Sequence, residues 1–97
     1  MNQYSLTKLP KDILEETAQK HKKLRKQQNL SQAQLAERSG VSLGSIKRFE
    51  QTGKISLTAL LKLAQILGRL KDFESLFEVQ EDLQAIEKLF SDKTRAQ

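Results

Sequence analysis

The sequence contains no cysteine and a single histidine, and these absences exclude several classes of protein. Without cysteine the chain can form neither a disulfide framework nor a thiolate metal site. The one histidine, His21, has no second histidine or cysteine with which to share a metal. We therefore expect no metal and no cofactor, and we expect His21 to have a packing role.

Signatures of catalysis are also missing. The chain has no Gly-x-x-x-x-Gly-Lys phosphate loop and no Gly-x-Ser-x-Gly elbow. The adjacent acidic pairs, Glu15 with Glu16 and Glu81 with Asp82, fall in segments expected to be helical, where sequence neighbours point in different directions. We interpret them as surface charge, so the sequence predicts a protein that is not an enzyme.

Long apolar runs are absent as well. The most apolar stretch, Leu57 to Leu67, is interrupted by Lys62 and Gln65 and is too short to span a membrane. The first five residues lack the basic start and apolar core of a secretory signal. We expect a soluble, cytoplasmic protein without a membrane partner.

Helix-favouring residues dominate the 97 residues of the chain. Leucine, lysine, glutamine, glutamate and alanine are abundant, whereas valine, tyrosine and threonine are sparse. A chain of this length supports one modest core rather than two independent ones. The composition predicts an all-α fold.

Positive charge is concentrated in the first half of the chain. Residues 8–54 hold eleven basic and five acidic side chains, whereas residues 55–97 hold six basic and seven acidic ones. A nucleic acid would be attracted to the first half by phosphate neutralisation. Ordinary surface charge accounts for these counts equally well, so they do not decide the function.

The first helix is expected to follow an N-terminal tail of residues 1–9. Pro10 suits a first helical turn, and acidic residues near the start and basic residues near the end match the helix dipole. The helical spacing predicts one inward face. Its members are Ile13, Thr17, His21, Leu24 and Gln28.

Two short helices joined by a tight turn are expected next. Ser31 can cap a helix from Gln32 to Ser39, and Gly40 can end it in a left-handed conformation. Val41 is the apolar residue inside the turn, and Ser42 can cap the second helix, which runs to Gln51 with Ile46 and Phe49 inward.

The second half of the chain is expected to add further helices. Residues 52–54 are predicted to form a turn, and Ser56 caps a helix to Leu67 that Gly68 closes. Its predicted inward residues are Leu57, Leu60, Leu63, Ala64 and Leu67. Leu61 and Ile66 lie outside this face, so another segment must cover their side chains.

Two last helices are predicted at residues 71–77 and from about residue 80 to residue 90. The second contributes to a short heptad seam made of Leu76, Val79, Leu83, Ile86 and Phe90. We expect this seam to dock on the body of the domain, on a partner protein or on a second subunit. We divide the chain into a tail (1–9), a helix-turn-helix domain (10–69) and a C-terminal helical extension (70–97).

Residues 31–51 carry the joint pattern of a helix-turn-helix. A small residue at Ala36 lets the helices cross closely, Gly40 forms the turn and Ile46 anchors the second helix, which in such motifs enters the major groove of DNA. The chain here resembles the XRE family, the phage repressor and Cro type, over residues 24–68. The matching segments are LRKQQNLSQAQLAERSGVSLGSIKRFEQTGK and SLTALLKLAQILG.

The resemblance implies a lambda-repressor-like bundle of five to six helices and a nucleoid-associated homodimer on double-stranded operator DNA. It matches Gln32 to a phosphate-contacting glutamine, and Arg48 to a base-contacting position where a guanidinium can bond guanine. The full set of implied DNA-binding residues is Gln32, Ser42, Leu43, Gly44, Ser45, Lys47, Arg48, Gln51 and Lys54.

The resemblance also implies a structural ion pair between Arg25 and Glu50. Two departures from the family pattern affect the DNA contacts. Leu43 and Gly44 stand where many relatives have polar residues, and the turn is one residue longer than the common Glu-Asn-Gly-Lys, which blurs the phosphate contacts at Gln51 and Thr52.

Three functional hypotheses follow from the sequence. The leucine-rich C-terminal part resembles HipB-type antitoxins, which repress their own operon and bind a HipA-like kinase toxin. A stand-alone phage-type repressor is the first alternative, and a protein-binding adaptor that uses the motif only as a scaffold is the second. RNA binding is disfavoured because the five aromatic residues form no exposed stacking row.

Overall fold

The computed structural model describes residues 7–79 and 87–90, and within these ranges the chain is helical and contains no strand. The helices are α1 (Pro10–Gln27), α2 (Gln32–Ser39), α3 (Leu43–Thr52), α4 (Leu57–Ile66) and α5 (Lys71–Glu74). Residues 87–90 form one more helical turn. The all-α prediction is therefore confirmed, while most of the predicted last helix lies outside the described residues.

Helix α1 begins and ends as predicted and buries only part of the predicted face, since His21 is buried whereas Thr17 and Leu24 are half-buried. Asp12 fixes its start by accepting a hydrogen bond from the backbone N–H of Leu9 at 2.8 Å. The buried residues are Ala18, His21 and Arg25, because these turn toward α3, on which α1 packs. The predicted inward position of Ile13 is wrong, since Ile13 is 48% exposed.

The helix-turn-helix forms as the sequence predicts. The Ser31 hydroxyl accepts from the backbone N–H of Gln34, while the Gln34 side chain accepts from the backbone N–H of Ser31. Gly40 ends α2 with a φ of +78°. Ser42 then caps α3 by accepting from the backbone N–H of Ser45, so the chain restarts a helix directly after the turn.

Helix α3 is one residue longer than predicted. Thr52, expected in the turn, belongs to the helix and donates its hydroxyl to the backbone oxygen of Arg48 at 2.7 Å. Its hydroxyl oxygen also accepts from the backbone N–H of Lys54. These two bonds extend the helix and tie the following turn to it.

The core lies where α2 packs on both α3 and α4 and α1 packs on α3. Its fully buried large side chains are Leu35, Ile46, Phe49 and Leu63. Leu30, Val41 and Leu67 complete the same cluster, with Ile66 packed against it. The predicted inward positions of Val41, Ile46 and Phe49 are thus confirmed, and Ile66 finds its cover within this core.

Helix α4 and the segment after it are less buried than predicted. The Ser56 cap and a left-handed Gly68 are present, but the predicted burial of Leu57 is wrong because this side chain is 60% exposed. Helix α5 ends at Glu74 rather than residue 77, since the chain turns there and reaches a positive φ at Phe77.

Among the described residues, none of the helices combines the length and the apolar character that crossing a membrane requires.

Gly53 joins the end of α3 to α1. It is buried and has a φ of +81°, and a Cβ atom placed on it would lie 2.7 Å from the backbone and Cβ of Leu14. The turn after α3 therefore rests directly on α1, which leaves no room for any side chain at this position.

We expect Gly53→Ala to destabilise the fold more than Gly40→Ala. Both glycines have positive φ, so alanine costs about 1–2 kcal/mol of backbone strain at each. At Gly40 nothing lies within 4 Å of the added Cβ. At Gly53 the clash with Leu14 adds roughly 1–3 kcal/mol. Urea unfolding of the two variants checks this, and equal losses at both positions would contradict the packing.

Candidate nucleic-acid interface

One face of α3 is buried and the opposite face is presented outward. Ile46, Phe49 and Glu50 are buried. The remaining positions at helical spacing form an exposed stripe, which we call the α3 stripe and which consists of Gly44, Lys47, Arg48 and Gln51. A single helix therefore presents two cations and an amide to whatever approaches it from outside.

The first turn of α3 has little side-chain bulk. Ser42 and Ser45 hydrogen-bond to each other through their hydroxyl groups at 2.8 Å. Leu43 is half-buried, and a Cβ placed on Gly44 would meet nothing within 4 Å. The helix backbone is thus open to close approach at Gly44. Proteins often have a glycine where the backbone must come close to a ligand.

A shallow groove lies beside the α3 stripe. It has a volume of about 330 Å³ and lies between α3 and the start of α4. Its lining residues are Ser45, Arg48, Lys54, Ile55, Ser56 and Ala59. Two cations and two hydroxyl groups make this groove suitable for an anion such as a phosphate.

The cations of this face have no acidic partner in the part of the chain that the structure describes. The ion pairs found there involve Lys8 with Glu16, Arg69 with Asp72, and the Glu50 carboxylate with Arg25 and His21. Lys47, Arg48 and Lys54 take part in none of them. Their charges therefore stay available to an external anion.

Behind the α3 stripe, a buried carboxylate joins α3 to the two preceding helices. Glu50 Oε1 accepts from Arg25 Nη2 at 2.8 Å and from Gln32 Nε2 at 3.0 Å. Glu50 Oε2 accepts from Arg25 Nε at 2.9 Å and pairs with His21 Nδ1 at 2.8 Å. We call these four residues the Glu50 cluster. The ion pair that the family resemblance implied is present within it.

The Glu50 cluster shifts the pKa values of its members. Burial alone would raise the pKa of Glu50, but hydrogen bonds from Arg25, Gln32 and His21 and the charge of Arg25 outweigh it, and the pKa is lowered. The hydrogen bond to Glu50 raises the pKa of Arg25. Burial lowers the pKa of His21 and outweighs the opposing effect of Glu50. The folded chain thus favours a charged Arg25–Glu50 pair beside a neutral His21.

Gln32 lies where the sequence placed it, at the start of α2, but its side chain has a partner inside the protein. Its amide donates one hydrogen bond to Glu50 and is half-buried. An amide nitrogen carries two hydrogens, so one is left for an external acceptor.

Two features of the site were not predicted from the sequence. The bond between His21 and Glu50 spans 29 residues and has no local pattern that could have revealed it. The second is Ser56, which was predicted only as a helix cap and which also lines the groove with Arg48 and Lys54. A hydroxyl two residues after Lys54 was the available signal for this second role.

The predicted partner seam is described only in part. Leu76, Val79 and Phe90 are exposed, whereas Leu83 and Ile86 lie outside the described residues. Over the described ranges, no three acidic or histidine side chains come together in a way that could hold a metal ion.

The sequence of the chain matches the model of a known protein family. A family model described as helix-turn-helix matches residues 22–73, which is more than half of the chain. The matched residues include all of α2, α3 and α4 and the whole Glu50 cluster apart from His21. No curated protein and no solved structure matches the chain.

We expect stability to fall when the pH drops below about 6.5, the ordinary pKa of histidine. The folded pKa of His21 is lowered, so between that pKa and 6.5 the unfolded chain binds more protons and is favoured. The loss is complete once the pH has passed below the folded pKa. Urea unfolding between about pH 7 and pH 5 should show this slope in the natural chain.

The matched variant for this pH dependence is His21→Leu. It should show a flatter profile in the same range, because His21 is the chain's one histidine. The effect of Glu50 comes at lower pH, since its pKa lies below the ordinary value of 4.5. Identical profiles for the two proteins would show that His21 is not neutral and buried in the folded state.

Proposed function

The chain belongs to the XRE-type helix-turn-helix family of DNA-binding regulators, and we propose that it is a sequence-specific transcriptional repressor whose α3 binds the major groove of operator DNA. The observation that carries this proposal is the α3 stripe together with Lys54. Its cations are exposed and have no acidic partner among the described residues. A polyanion supplies the charge that this face lacks.

Base recognition is assigned chiefly to Arg48. Its guanidinium can donate hydrogen bonds to O6 and N7 of one guanine at the same time. Such a contact favours the correct base over a wrong one by about 1–3 kcal/mol. Gly44 lets the backbone approach the base edges, and Leu43 can contact a thymine methyl group. Lys47 and Ser45 are neighbours that contact bases or phosphates, and Ser42 lies beside them.

Phosphate contacts are assigned to both ends of the helix-turn-helix. Gln51 is the last residue of the α3 stripe and Lys54 follows it, and the groove between α3 and α4 accepts one phosphate group beside Lys54. Gln32 donates its second amide hydrogen to another phosphate while the first stays on Glu50. The Glu50 cluster thereby holds Gln32 and α3 in fixed relative positions before DNA arrives.

Operator binding as a homodimer is part of the proposal. Two copies of α3 reach successive major grooves when they are about 34 Å apart, one turn of DNA, and this spacing requires a two-fold operator. The C-terminal extension is assigned to dimer and partner contacts, through Leu76, Val79, Leu83, Ile86 and Phe90.

We further propose that the repressor is a HipB-like antitoxin that represses its own operon and binds a HipA-like kinase toxin. The supporting feature is the composition of residues 55–97, which are rich in leucine and carry more acidic than basic side chains. This composition suits a protein partner better than it suits DNA. A stand-alone repressor needs no such surface beyond its dimer contact.

Loss of the two cations at the centre of the α3 stripe should abolish operator binding. We expect Lys47→Ala with Arg48→Ala to weaken binding to an operator duplex by at least about 100-fold, through lost base and phosphate contacts. Lys62→Ala with Lys71→Ala removes the same charge away from α3 and should bind almost like the natural chain. Fluorescence anisotropy on a duplex selected from random sequences provides the measurement.

Salt dependence separates a DNA-binding protein from an adaptor. The natural chain should lose affinity steeply as salt rises, and the Lys47 and Arg48 double variant should show a shallower slope. If the natural chain selects no sequence and binds no duplex at low salt, the repressor proposal fails.

The antitoxin proposal is tested by co-purification with the products of neighbouring genes. The full chain should retain a kinase-like partner, whereas a chain ending at Val79 should lose it and remain folded. The shortened chain keeps every core residue among those that the structure describes. Absence of any such partner from the full chain would leave a stand-alone repressor as the function.

A further inference from the structure

A second groove lies between α1 and α4. It has a volume of about 390 Å³. Its apolar walls are Leu24, Leu60, Ala64, Leu67 and Phe73, and its polar rim is Thr17, Lys20, Arg69 and Asp72. At one end the amide of Gln28 donates to the backbone oxygen of Leu67 at 3.0 Å and joins the two helices. We call this the α1–α4 groove.

This groove explains why two predicted inward faces are incompletely buried. Thr17 and Leu24 of α1 line one wall, and Leu60 and Leu67 of α4 line the other. One helical turn before each wall, Ile13 and Leu57 are 48% and 60% exposed. The sequence provides two apolar faces that are suited to burial, and the single chain leaves the space between them open.

A buried polar atom lies in the wall of the groove and lacks a partner within the part of the chain that the structure describes. His21 lines the groove, and its side chain is 6% exposed. Nδ1 is engaged with Glu50, whereas Nε2 is buried and has no hydrogen-bond partner among the described residues. Buried polar atoms are nearly always paired. A backbone N–H or a hydroxyl brought into the groove would supply the missing donor to the neutral ring.

The described residues also include an exposed apolar segment. Immediately after Phe73, which lines the groove, Leu76, Phe77 and Val79 are exposed, Phe77 by 99% and Val79 by 86%. We call these three residues the 76–79 segment. Several large apolar side chains exposed side by side mark an interaction surface.

We propose that the 76–79 segment of a second copy of this chain occupies the α1–α4 groove, and that the exchange is reciprocal. This inference rests on the dimer in the proposed function and names the surfaces that form it. A two-fold interface must be self-complementary. The groove and the segment meet at Phe73 on one surface, so a two-fold partner can fill the groove while its own groove is filled.

Charge supports a second copy as the occupant. Acidic Glu74 and Glu78 accompany the apolar segment, and both are exposed. The groove rim carries Lys20 and Arg69, of which Arg69 is paired with Asp72 at 2.9 Å. The segment thus matches the groove in apolar character and its acidic residues match Lys20 on the rim, and docking buries Phe77 and provides backbone donors near His21.

The first test uses Phe77→Trp, which introduces the chain's one tryptophan. We expect its emission to shift to shorter wavelength as protein concentration rises, with the same midpoint as dimerisation in sedimentation. The ring-proton NMR signals of His21, the one histidine, should move with the same midpoint in the natural chain. Emission typical of exposed tryptophan at every concentration would overturn the proposal. So would a short-wavelength emission that does not depend on concentration, because the segment would then occupy the groove of its own chain.

The second test uses Phe77→Glu. A charge at the centre of the docked segment should raise the dimer dissociation constant by about tenfold or more. Phe77 is fully exposed in the single chain, so the substitution should leave the unfolding midpoint of the monomer unchanged. The control is Gln19→Glu, which adds the same charge on an exposed part of α1 away from the groove and should dimerise normally.

Operator binding distinguishes this inference from the proposed function. If Phe77→Glu dimerises like the natural chain and both bind the operator, the surfaces named here are wrong and the repressor proposal stands. If dimerisation depends on Phe77 but the natural dimer binds no operator, the interface stands and the repressor proposal fails.

Discussion

The rest of the structure depends on the buried carboxylate of Glu50. Four donor groups from His21, Arg25 and Gln32 surround its two oxygens, so the end of α3 is held against α1 and the start of α2. Removing one partner of such a buried pair costs about 3–5 kcal/mol, because a charge is left uncompensated. The same carboxylate orients Gln32, so the interaction that stabilises the fold also positions a residue assigned to DNA.

The local elements of the fold were predictable from the sequence because their causes are local. Ser31 and Ser42 cap helices through bonds to residues three positions away, and Gly40 supplies a left-handed turn. The inward positions of Ile46 and Phe49 follow from helical spacing within α3. These features, together with the α3 stripe on the outward face of the same helix, make up most of the candidate site.

Long-range contacts and incomplete burial were not predictable in the same way. His21 reaches Glu50 across 29 residues, and Gln32 turns toward Glu50 as well as outward. Helical spacing correctly found apolar faces on α1 and α4, but it cannot show whether another element covers them. Ile13 and Leu57 are exposed because, in a single chain, nothing among the described residues fills the space between the two helices.

The molecule therefore presents two surfaces of different character, a cationic one around α3 and an apolar one between α1 and α4. NMR titration of the labelled chain with an operator duplex tests the central claim most directly. The account predicts that backbone signals of Gly44, Lys47, Arg48 and Lys54 shift strongly, and that those of Gln32 shift with them. Shifts confined to residues of the α1–α4 groove, with the α3 signals unchanged, would contradict it.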